Sequence, residues 1–332
     1  MSAAVDAVGI LGIGSSLPER VLTNFDLEKM VDTSDEWITK RTGISERRIL
    51  EKEKAAYELG ACAAIKAIED AGIRPSDIGV VLATTSTPDY LVPSTACLIQ
   101  EKTGAANAAA FDLNAACTGF VYGLTVAKQF ILTGFCKYVL VVACEALSKV
   151  VDWKDRNTCV LFGDGAGAFV LGPAEKGFGI LDSYLKSDGS QGRVITLPCC
   201  HMEEEDIAKR AGKAKNVLWM DGSEVFKFAV KAVTDAIDGL LEKAHIKLEE
   251  LNLIIPHQAN IRIIDGAAKR LKLPDEKIYT NIHKYGNISS ASIPVAVEEV
   301  VRAKRVKKGD YLLFVAFGGG LTWGSTLVRW NR

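Results

Sequence analysis

The chain has 332 residues, of which 48% are hydrophobic and 24% are charged, and its formal net charge at pH 7 is −1. This length suits one large domain or two fused halves with an extensive core. The near-zero net charge and the absence of a long Lys/Arg run argue against a general nucleic-acid-binding protein. No apolar run approaches the ~20 residues of a membrane span, and residues 1–7 lack the regions of a signal peptide.

Eight cysteines are spread along the chain, at positions 62, 97, 117, 136, 144, 159, 199 and 200. None belongs to a Cys-x-x-Cys pair, and no Cys/His cluster has the spacing of zinc ligands. Several lie in apolar surroundings that do not favour a disulfide framework. We therefore expect a reduced, cytoplasmic protein without a bound metal.

The order of the predicted elements is that of an α/β protein. A strand at 8–14 ends in Gly12-Ile13-Gly14, but no third glycine and no helix follow, so a dinucleotide loop is rejected. Apolar periodicity and capping residues predict helices at 24–31, 34–40, 55–71 and 93–103, and strands at 78–84 and 138–144. Residues 158–171 contain the small-residue turn 163–167. Residues 180–212 are predicted to be irregular, with Glu203-Glu204-Glu205 in a solvated loop.

The stretch 108–134 combines an alanine-rich lead, a tight turn and an apolar run. The lead predicts a buried strand, and 120–132 predicts a helix that is buried nearly all round. Cys117 would then lie at the N-terminus of that helix, where the unpaired N–H groups favour a thiolate and lower its pKa. The alternative is that Cys117 is an inert core residue.

The second half of the chain repeats the first after 173 residues. The segment starting at Ile246 matches the one starting at Ile73, Asn287 matches Asn114, and the segment starting at Tyr311 matches the one starting at Tyr138. This period is far longer than a solenoid repeat, so we predict a duplicated α/β domain with halves at 1–175 and 176–332. Buried apolar strands separated by helices predict mostly parallel sheets covered by helices.

Three further features converge with Cys117 in this duplicated frame. His257 follows a predicted parallel strand, and ligand sites form at such strand ends. Asn287 lies in a turn that the repeat relates to the Cys117 turn, and Gly318-Gly319-Gly320 follows the last strand of the repeat, where bare N–H groups could bind an oxyanion. Taken singly, each has an ordinary alternative: a structural histidine, a turn asparagine or a flexible glycine loop.

The motifs around these residues resemble a known family. Cys117 in Ala-Ala-Cys-Thr-Gly-Phe, His257 in Pro-His-Gln-Ala-Asn and Asn287 in Gly-Asn-Ile-Ser-Ser-Ala-Ser resemble the Cys-His-Asn set of thiolase-fold condensing enzymes. More narrowly, the chain resembles the β-ketoacyl-acyl-carrier-protein synthase III family, from Leu17-Pro18 through 32–44 to 317–324. The resemblance implies a thiolase-like fold of duplicated α/β halves, with mixed sheets and helices in layers (α-β-α-β-α), and a homodimer.

The activity implied by the resemblance is the initiating condensation of type II fatty acid synthesis. A short acyl-CoA primer, expected to be acetyl-CoA, acylates Cys117; malonyl-acyl-carrier protein is then decarboxylated, and its enolate attacks the acyl group. The products are 3-oxoacyl-carrier protein, CoA and CO2. His257 and Asn287 would stabilise the enolate, and the Cys117 and Gly319 amides would form the oxyanion hole. No cofactor is implied beyond the coenzyme A thioester, which is a substrate.

The resemblance also implies binding surfaces. The residues matching positions that bind coenzyme A are Thr33, Trp37, Arg41, Arg156 and Asn260. Those matching the surface that docks the acidic acyl-carrier protein are Lys227, Gln258, Ala259, Asn260, Ile261, Arg262, Lys269 and Arg270. One departure concerns Val92, which stands where many relatives carry Phe, at a dimer contact that reaches the partner's acyl pocket. This smaller residue predicts acceptance of longer or branched primers.

Other functions remain open at this stage. A polyketide- or quinolone-type starter synthase would keep the same three residues with another primer or extender. A non-catalytic acyl-carrier-binding module would keep the basic helix without needing Cys117. Hydroxymethylglutaryl-CoA synthase is disfavoured because it needs an acidic group near the cysteine, and a cysteine hydrolase is disfavoured by the Asn287 motif.

Overall fold

Two mixed β-sheets that enclose a pair of helices form the core of the molecule. The computed structural model describes residues 5–209 and 216–332. Its strands are β1 Val8–Ser16, β2 Val21–Thr23, β3 Glu46–Arg48, β4 Ile78–Thr84, β5 Ala109–Leu113, β6 Tyr138–Ala146, β7 Asp164–Pro173, β8 Gly179–Ser187, β9 Ile195–Thr196, β10 Trp219–Met220, β11 Leu253–Pro256, β12 Tyr311–Gly318 and β13 Thr322–Arg329. Its helices are α1 Asn24–Leu27, α2 Asp35–Thr42, α3 Ala56–Ala71, α4 Thr95–Thr103, α5 Gly119–Leu132, α6 Glu204–Lys209, α7 Gly222–Ala244, α8 Ile261–Leu271, α9 Ile282–Tyr285 and α10 Ser292–Arg302.

The two large sheets share one strand order. The first runs β1-β7-β6-β4-β5 and the second, read from the corresponding edge, runs β8-β13-β12-β11. In the first sheet β4 is parallel to β6, and in the second β11 is parallel to β12. The pairs at the opposite side of each sheet are antiparallel: β6–β7 and β7–β1 in the first, and β12–β13 and β13–β8 in the second. The repeat relates β5 to residues 282–286, which contain the short helix α9 (Ile282–Tyr285) and no strand. The shared order supports the predicted halves 1–175 and 176–332, whose boundary stays a prediction.

The helices form three layers around these sheets. Helix α5 packs on β4 and β6 of the first sheet and on β13 of the second, and α10 packs on β1 and β7 of the first and on β11 of the second. Helices α3 and α4 cover the outer face of the first sheet, while α7, with α8 beside it, covers the outer face of the second. The predicted α-β-α-β-α arrangement with mixed sheets is confirmed.

The Gly12-Ile13-Gly14 motif serves this packing. A Cβ at Gly12 would lie 2.0 Å from the carbonyl oxygen of Ala67, and one at Gly14 would lie 2.4 Å from that of Ala63. Both glycines therefore let β1 approach the backbone of α3 more closely than any side chain allows. The motif belongs to sheet–helix contact, in agreement with the rejection of a dinucleotide loop.

Several local predictions are wrong. The sheets are mixed and not mostly parallel, because β7 and β13 return antiparallel after the crossovers. The stretch predicted to be irregular contains β8, which pairs with β13, and Glu204 begins α6 instead of lying in a loop; residues 210–212 of that stretch lie outside the described residues. The lead of the Cys117 turn, β5, is an edge strand whose Phe111 is exposed on this chain.

Candidate active site

Two matching turns carry Cys117 and Asn287 to the centre of the molecule. Asn114 Oδ1 accepts the backbone N–H of Ala116 at 3.1 Å, and Asn287 Oδ1 accepts that of Ser289 at 2.9 Å. Ala116 and Ser289, which are 173 positions apart, are both left-handed, with φ of 47° and 49°. A one-turn 3-10 segment follows each, and then α5 or α10 begins. The repeated turns face each other, as predicted.

A cavity of about 930 Å³ opens between these turns. The residues predicted to take part in the chemistry all line this cavity: Cys117, His257, Asn287 and Gly319. The predicted substrate-binding residues that also line it are Trp37, Arg41, Arg156, Ala259, Asn260 and Arg262. The three side chains that the sequence places 140 and 30 positions apart therefore reach one space. This convergence is the main geometrical result of the structure.

His257 is held as a neutral hydrogen-bond donor. It follows β11 and is 2% exposed, and its Nδ1 lies 2.8 Å from Ser292 Oγ. Ser292 Oγ also accepts the backbone N–H of Gln258 at 3.4 Å, and we assign its own proton to Nδ1, which places the ring proton on Nε2. Burial lowers the pKa of His257 to about 3, so the ring is neutral at physiological pH.

The amide of Asn287 is oriented by the same kind of constraint. Its Oδ1 is occupied by the Ser289 N–H, its backbone N–H donates to Leu161 O at 2.8 Å, and its carbonyl accepts the N–H of Gly163 at 3.0 Å. With the oxygen engaged, Nδ2 is the part of the amide left to donate toward the cavity. His257 and Asn287 thus present N–H groups and no base.

Cys117 is half-buried at the floor of the cavity. Removal from water raises the pKa of its thiol to about 12; a hydrogen bond with Ser289 lowers it, and the nearby Glu145 carboxylate raises it. The expectation of a lowered thiol pKa at the start of α5 is therefore wrong, because burial is the largest influence and raises the pKa. The resting group is a thiol.

The glycine triplet lies against Cys117. A Cβ on Gly318 would lie 2.8 Å from the backbone nitrogen of Cys117, so only glycine allows β12 to end at this distance. Gly319 lines the cavity beside Ala116 and Ile195. The Cys117 and Gly319 amides remain the predicted oxyanion hole.

Two of the residues predicted to bind coenzyme A, Arg41 and Arg156, lie over the ring of a third, Trp37. The guanidinium carbons of Arg41 and Arg156 lie 4.9 and 5.3 Å from the centre of its ring. Arg156 is also tied to Asp32, donating to its carbonyl oxygen at 2.7 Å. Thr33 does not line the cavity, but its buried hydroxyl has no partner in the described residues. These contacts create a flat cationic and aromatic surface suited to a nucleotide.

The residues predicted to dock a carrier protein divide into exposed and buried groups. Arg262, Lys269 and Arg270 are exposed on α8, and Lys227 is exposed on the neighbouring α7. Ala259, Asn260 and Ile261 are half-buried at the start of α8, where Asn260 Oδ1 accepts the N–H of Arg262. The prediction is wrong for Gln258, which is 1% exposed and donates to the carbonyls of Pro256 and Tyr279.

Val92 does not line the cavity of its own chain. It is 87% exposed, and the adjacent Tyr90 and Leu91 are also exposed. This position is compatible with the predicted dimer contact, and its reach into a partner's acyl pocket stays a prediction.

Sequence reasoning missed Glu145, a fully buried carboxyl group at the end of β6. It accepts hydrogen bonds from the Ser289 and Ser290 hydroxyls, both at 2.9 Å, and from the Thr87 hydroxyl and the Ser86 N–H. Burial raises its pKa, and these donors oppose the rise. No motif signals it, because its partners come from distant parts of the chain.

The described residues contain neither a candidate metal site nor a candidate membrane-spanning helix. In the described parts of the chain, no group of three His, Cys, Asp or Glu side chains could hold a metal ion. None of the helices within 5–209 and 216–332 has both the length and the hydropathy of a membrane span.

Comparison with known proteins agrees with this geometry. Residues 111–189 match the family model of 3-oxoacyl-[acyl-carrier-protein] synthase III, and 241–330 match the model of its C-terminal part. A β-ketoacyl-[acyl-carrier-protein] synthase III of Caldanaerobacter subterraneus is 52% identical over 98% of both chains. The crystal structure of 3-oxoacyl-[acyl-carrier-protein] synthase III from Aquifex aeolicus is 46% identical, with a TM-score of 0.91, over 98% of this chain and 100% of that one.

A further similar structure is that of the priming β-ketosynthase from the R1128 polyketide pathway. It is 34% identical, with a TM-score of 0.92, over 100% of this chain and 98% of that one. Fold and site together define a thiolase-fold condensing enzyme, an acyltransferase. The chain belongs to the β-ketoacyl-[acyl-carrier-protein] synthase III family. The predicted family is confirmed.

The burial and hydrogen bonding of His257 predict the 15N NMR signals of its ring. Its 15N ring signals should be those of a neutral Nε2–H tautomer, unchanged between pH 5 and 8, because burial holds the pKa near 3. In the urea-unfolded chain the same ring should titrate near pH 6.5. Since the unfolded chain takes up this proton first, the contribution of His257 to stability should fall as the pH drops below about 6.5.

A His257→Gln variant assigns the signals, and Ser292→Ala is the matched test of the tautomer. Without the Ser292 hydroxyl, the Nδ1–H tautomer should become populated. A protonated ring at pH 6, or an unaltered tautomer in Ser292→Ala, would contradict the assignment.

Proposed function

We propose that this chain catalyses the initiating condensation of type II fatty acid synthesis, joining a short acyl-CoA primer, with acetyl-CoA as the expected one, to malonyl-acyl-carrier protein. The observation that carries the proposal is the convergence of Cys117, His257 and Asn287 in one cavity. Membership of the family and 52% identity to a synthase III support the same reaction. The products are 3-oxoacyl-carrier protein, CoA and CO2.

In the first half-reaction, the sulfur of Cys117 attacks the thioester carbonyl and coenzyme A leaves as its thiol. The carbonyl oxygen acquires charge in the tetrahedral intermediate, and the Cys117 and Gly319 amides are the donors proposed to stabilise it. The close seating of Gly318 on the Cys117 backbone supports this role, because it brings the end of β12 to the nucleophile.

In the second half-reaction, malonyl-carrier protein loses CO2 and forms an enolate that attacks the acyl-cysteine. A neutral Nε2–H on His257 and the Nδ2 amide of Asn287 are donors that stabilise the enolate oxygen. Uncharged donors suit the enolate oxygen, because its negative charge is present only transiently. No metal or further cofactor is part of the proposal.

Both substrates are proposed to reach Cys117 through the mouth of the cavity. Coenzyme A is proposed to bind at Thr33, Trp37, Arg41, Arg156 and Asn260, and the carrier protein on α8 and Lys227. The carrier phosphopantetheine would enter the same mouth past Arg262, which lines it.

The assembly and location are proposed on separate grounds. The consecutive exposed apolar side chains of Tyr90, Leu91 and Val92 support a homodimer, since exposed apolar patches mark interaction surfaces. All eight cysteines are free thiols, which supports a cytoplasmic location.

A polyketide-type starter synthase is the second candidate. The similarity to the R1128 priming ketosynthase favours keeping it. Primer profiling with acyl-CoA thioesters of graded length and malonyl-carrier protein separates the two: a fatty-acid initiator should prefer acetyl or other short primers.

Splitting the two half-reactions tests the assigned roles. Cys117→Ala should abolish acyl transfer yet leave measurable decarboxylation of malonyl-carrier protein, because enolate stabilisation belongs to His257 and Asn287. His257→Ala and Asn287→Ala should do the reverse, sparing acylation more than condensation. The control is Cys62→Ala, an exposed thiol on α3, which should leave both half-reactions intact. Condensation by Cys117→Ala would refute the covalent mechanism.

Charge reversal on α8 tests the docking surface. Lys269→Glu and Arg270→Glu should raise the KM for malonyl-carrier protein severalfold, with a smaller effect on acyl-CoA, because neither residue lines the cavity. Rising salt should weaken the wild-type interaction, since exposed charges are screened over about 10 Å at 0.1 M. Lys176→Glu, an exposed lysine outside α8, is the control. Equal effects on both substrates would count against this surface.

Val92→Phe tests the primer range. If residue 92 bounds the partner's acyl pocket, Val leaves room for two or three extra carbons, worth roughly tens-fold in primer binding at about 0.8 kcal/mol per methylene. The variant should narrow the range toward acetyl without loss of acetyl turnover, and Val92→Ile should give an intermediate profile. An unchanged profile in both variants would place the pocket wall elsewhere.

A further inference from the structure

Two exposed thiols lie side by side outside the cavity, in the segment between β9 and α6. Cys199 and Cys200 are neighbours in the sequence, both are exposed, and their sulfur atoms lie 3.4 Å apart. Neither lines the cavity. Two sulfur atoms at this separation can be joined by a bond after a local change in the side chains and in the backbone between them.

The same short segment supplies part of the cavity wall. Ile195 and Leu197 line the cavity, and Leu197 packs against a small buried apolar cluster that includes Phe162. Only Pro198 separates Leu197 from Cys199, and its ring fixes the backbone torsion φ. Few torsions are therefore free to absorb a backbone change at Cys199 before it reaches Leu197.

The far end of the segment is tied back to its beginning. Arg193 Nη1 donates to Glu205 Oε2 at 2.7 Å, across the stretch that contains the two thiols. Directly after Arg193, β9 pairs with β10, whose Trp219 and Met220 also line the cavity. The ion pair closes residues 193–205 into a loop, so the thiols lie between a tether on one side and the cavity wall on the other.

We propose that Cys199 and Cys200 form a thiol–disulfide exchange site for low-molecular-weight disulfides, and that its oxidation alters the cavity wall at Leu197. One cysteine thiolate attacks a sulfur of the small disulfide, whose S–S bond breaks and releases the first small thiolate. The second cysteine thiolate attacks the protein sulfur of this mixed disulfide, and the second small thiolate leaves. The two protein thiols lose two electrons to the small disulfide, and their two protons end on the two released thiols.

The product is a disulfide between adjacent residues, which requires a change in the backbone. Neighbouring Cα atoms are about 3.8 Å apart, whereas those of most disulfides are roughly 4.4–6.8 Å apart, so the torsions beside the joining peptide bond must change. A disulfide outside the ordinary geometry is reduced readily, so both residues are free thiols until small disulfides accumulate. The expected consequence is a displaced Leu197 and weaker binding of acyl-CoA, a ligand whose identity rests on the proposed function.

Peptide mapping tests the exchange chemistry. It needs no acyl substrate, so the exchange site and the proposed function can fail separately. Trypsin releases residues 194–209 as one peptide, which contains these two cysteines and no other. After treatment with oxidised glutathione and then N-ethylmaleimide, the peptide should carry neither reagent and should lack two hydrogen atoms. Dithiothreitol should restore two maleimide-reactive thiols.

Single variants isolate the first step of the exchange. Cys199→Ser and Cys200→Ser each keep one thiol, so each should stop at the mixed disulfide with one glutathione on peptide 194–209. Cys62→Ser, which removes an exposed thiol on α3, is the matched control and should still form the disulfide between Cys199 and Cys200.

Binding of acetyl-CoA, measured by calorimetry, tests the link to the cavity. The measurement uses Cys117→Ala, because small disulfides would also oxidise the cavity thiol, and acetyl-CoA has no free thiol that could reduce the new bond. Oxidation should weaken binding by about threefold or more, because the cavity wall is no longer preorganised, and dithiothreitol should restore it. Adding Cys199→Ser and Cys200→Ser together should abolish this response, whereas adding Cys62→Ser should not.

Three results would overturn the proposal. Two maleimides on peptide 194–209, under conditions that oxidise Cys62, would show that the pair does not exchange with small disulfides. Two glutathiones on that peptide would show two independent thiols that do not join. Equal acetyl-CoA binding before and after the disulfide has formed would show that the pair does not act on the cavity wall.

Discussion

The left-handed backbone of Ala116 and Ser289 is the constraint on which the site depends. Non-glycine residues in this conformation cost roughly 1–3 kcal/mol each, so they persist only where the surroundings hold them. Here the preceding asparagines, Asn114 and Asn287, cap each turn with a side-chain oxygen. The first turn brings the Cys117 amide against the end of β12, and the second directs the Ser289 hydroxyl between the cavity and Glu145. These two residues set the positions of Cys117 and of the Ser289 hydroxyl, whereas His257 is placed by β11 and Glu145 by β6.

Burial of the site has opposite effects on its two tasks. A dry cavity strengthens each hydrogen bond to a developing oxyanion, which favours neutral donors such as His257 and Asn287. The same loss of water raises the pKa of Cys117 and makes a resting thiolate costly. Burial therefore favours the hydrogen-bond donors of the site and disfavours a thiolate on Cys117.

Much of the fold could be predicted from the sequence, because the duplication leaves matching segments along the whole chain. The 173-residue offset anticipated the matching turns, and the strand before His257 anticipated its place at a sheet edge. Features that depend on contacts between distant segments were not accessible. Gln258 belongs to the same motif as His257 but faces the interior, and β5 is apolar although it lies at an edge of its sheet. Glu145 gives no local signal, since its partners lie about 60 and 145 positions away.

The same offset shows how the two halves came to differ. Cys117 corresponds to Ser290, His257 to Thr84 and Gly318 to Glu145, each pair 173 positions apart. Around Cys117, the glycine leaves space and the cavity opens. Around Ser290, the glutamate fills the corresponding space, and the Ser290 and Thr84 hydroxyls lie 3.5 Å apart where the other half has its thiol and imidazole. Duplication thus supplies two related positions for a site, one open and one closed by a carboxyl group. Because the two turns meet, the group that closes the second position lies directly behind the first.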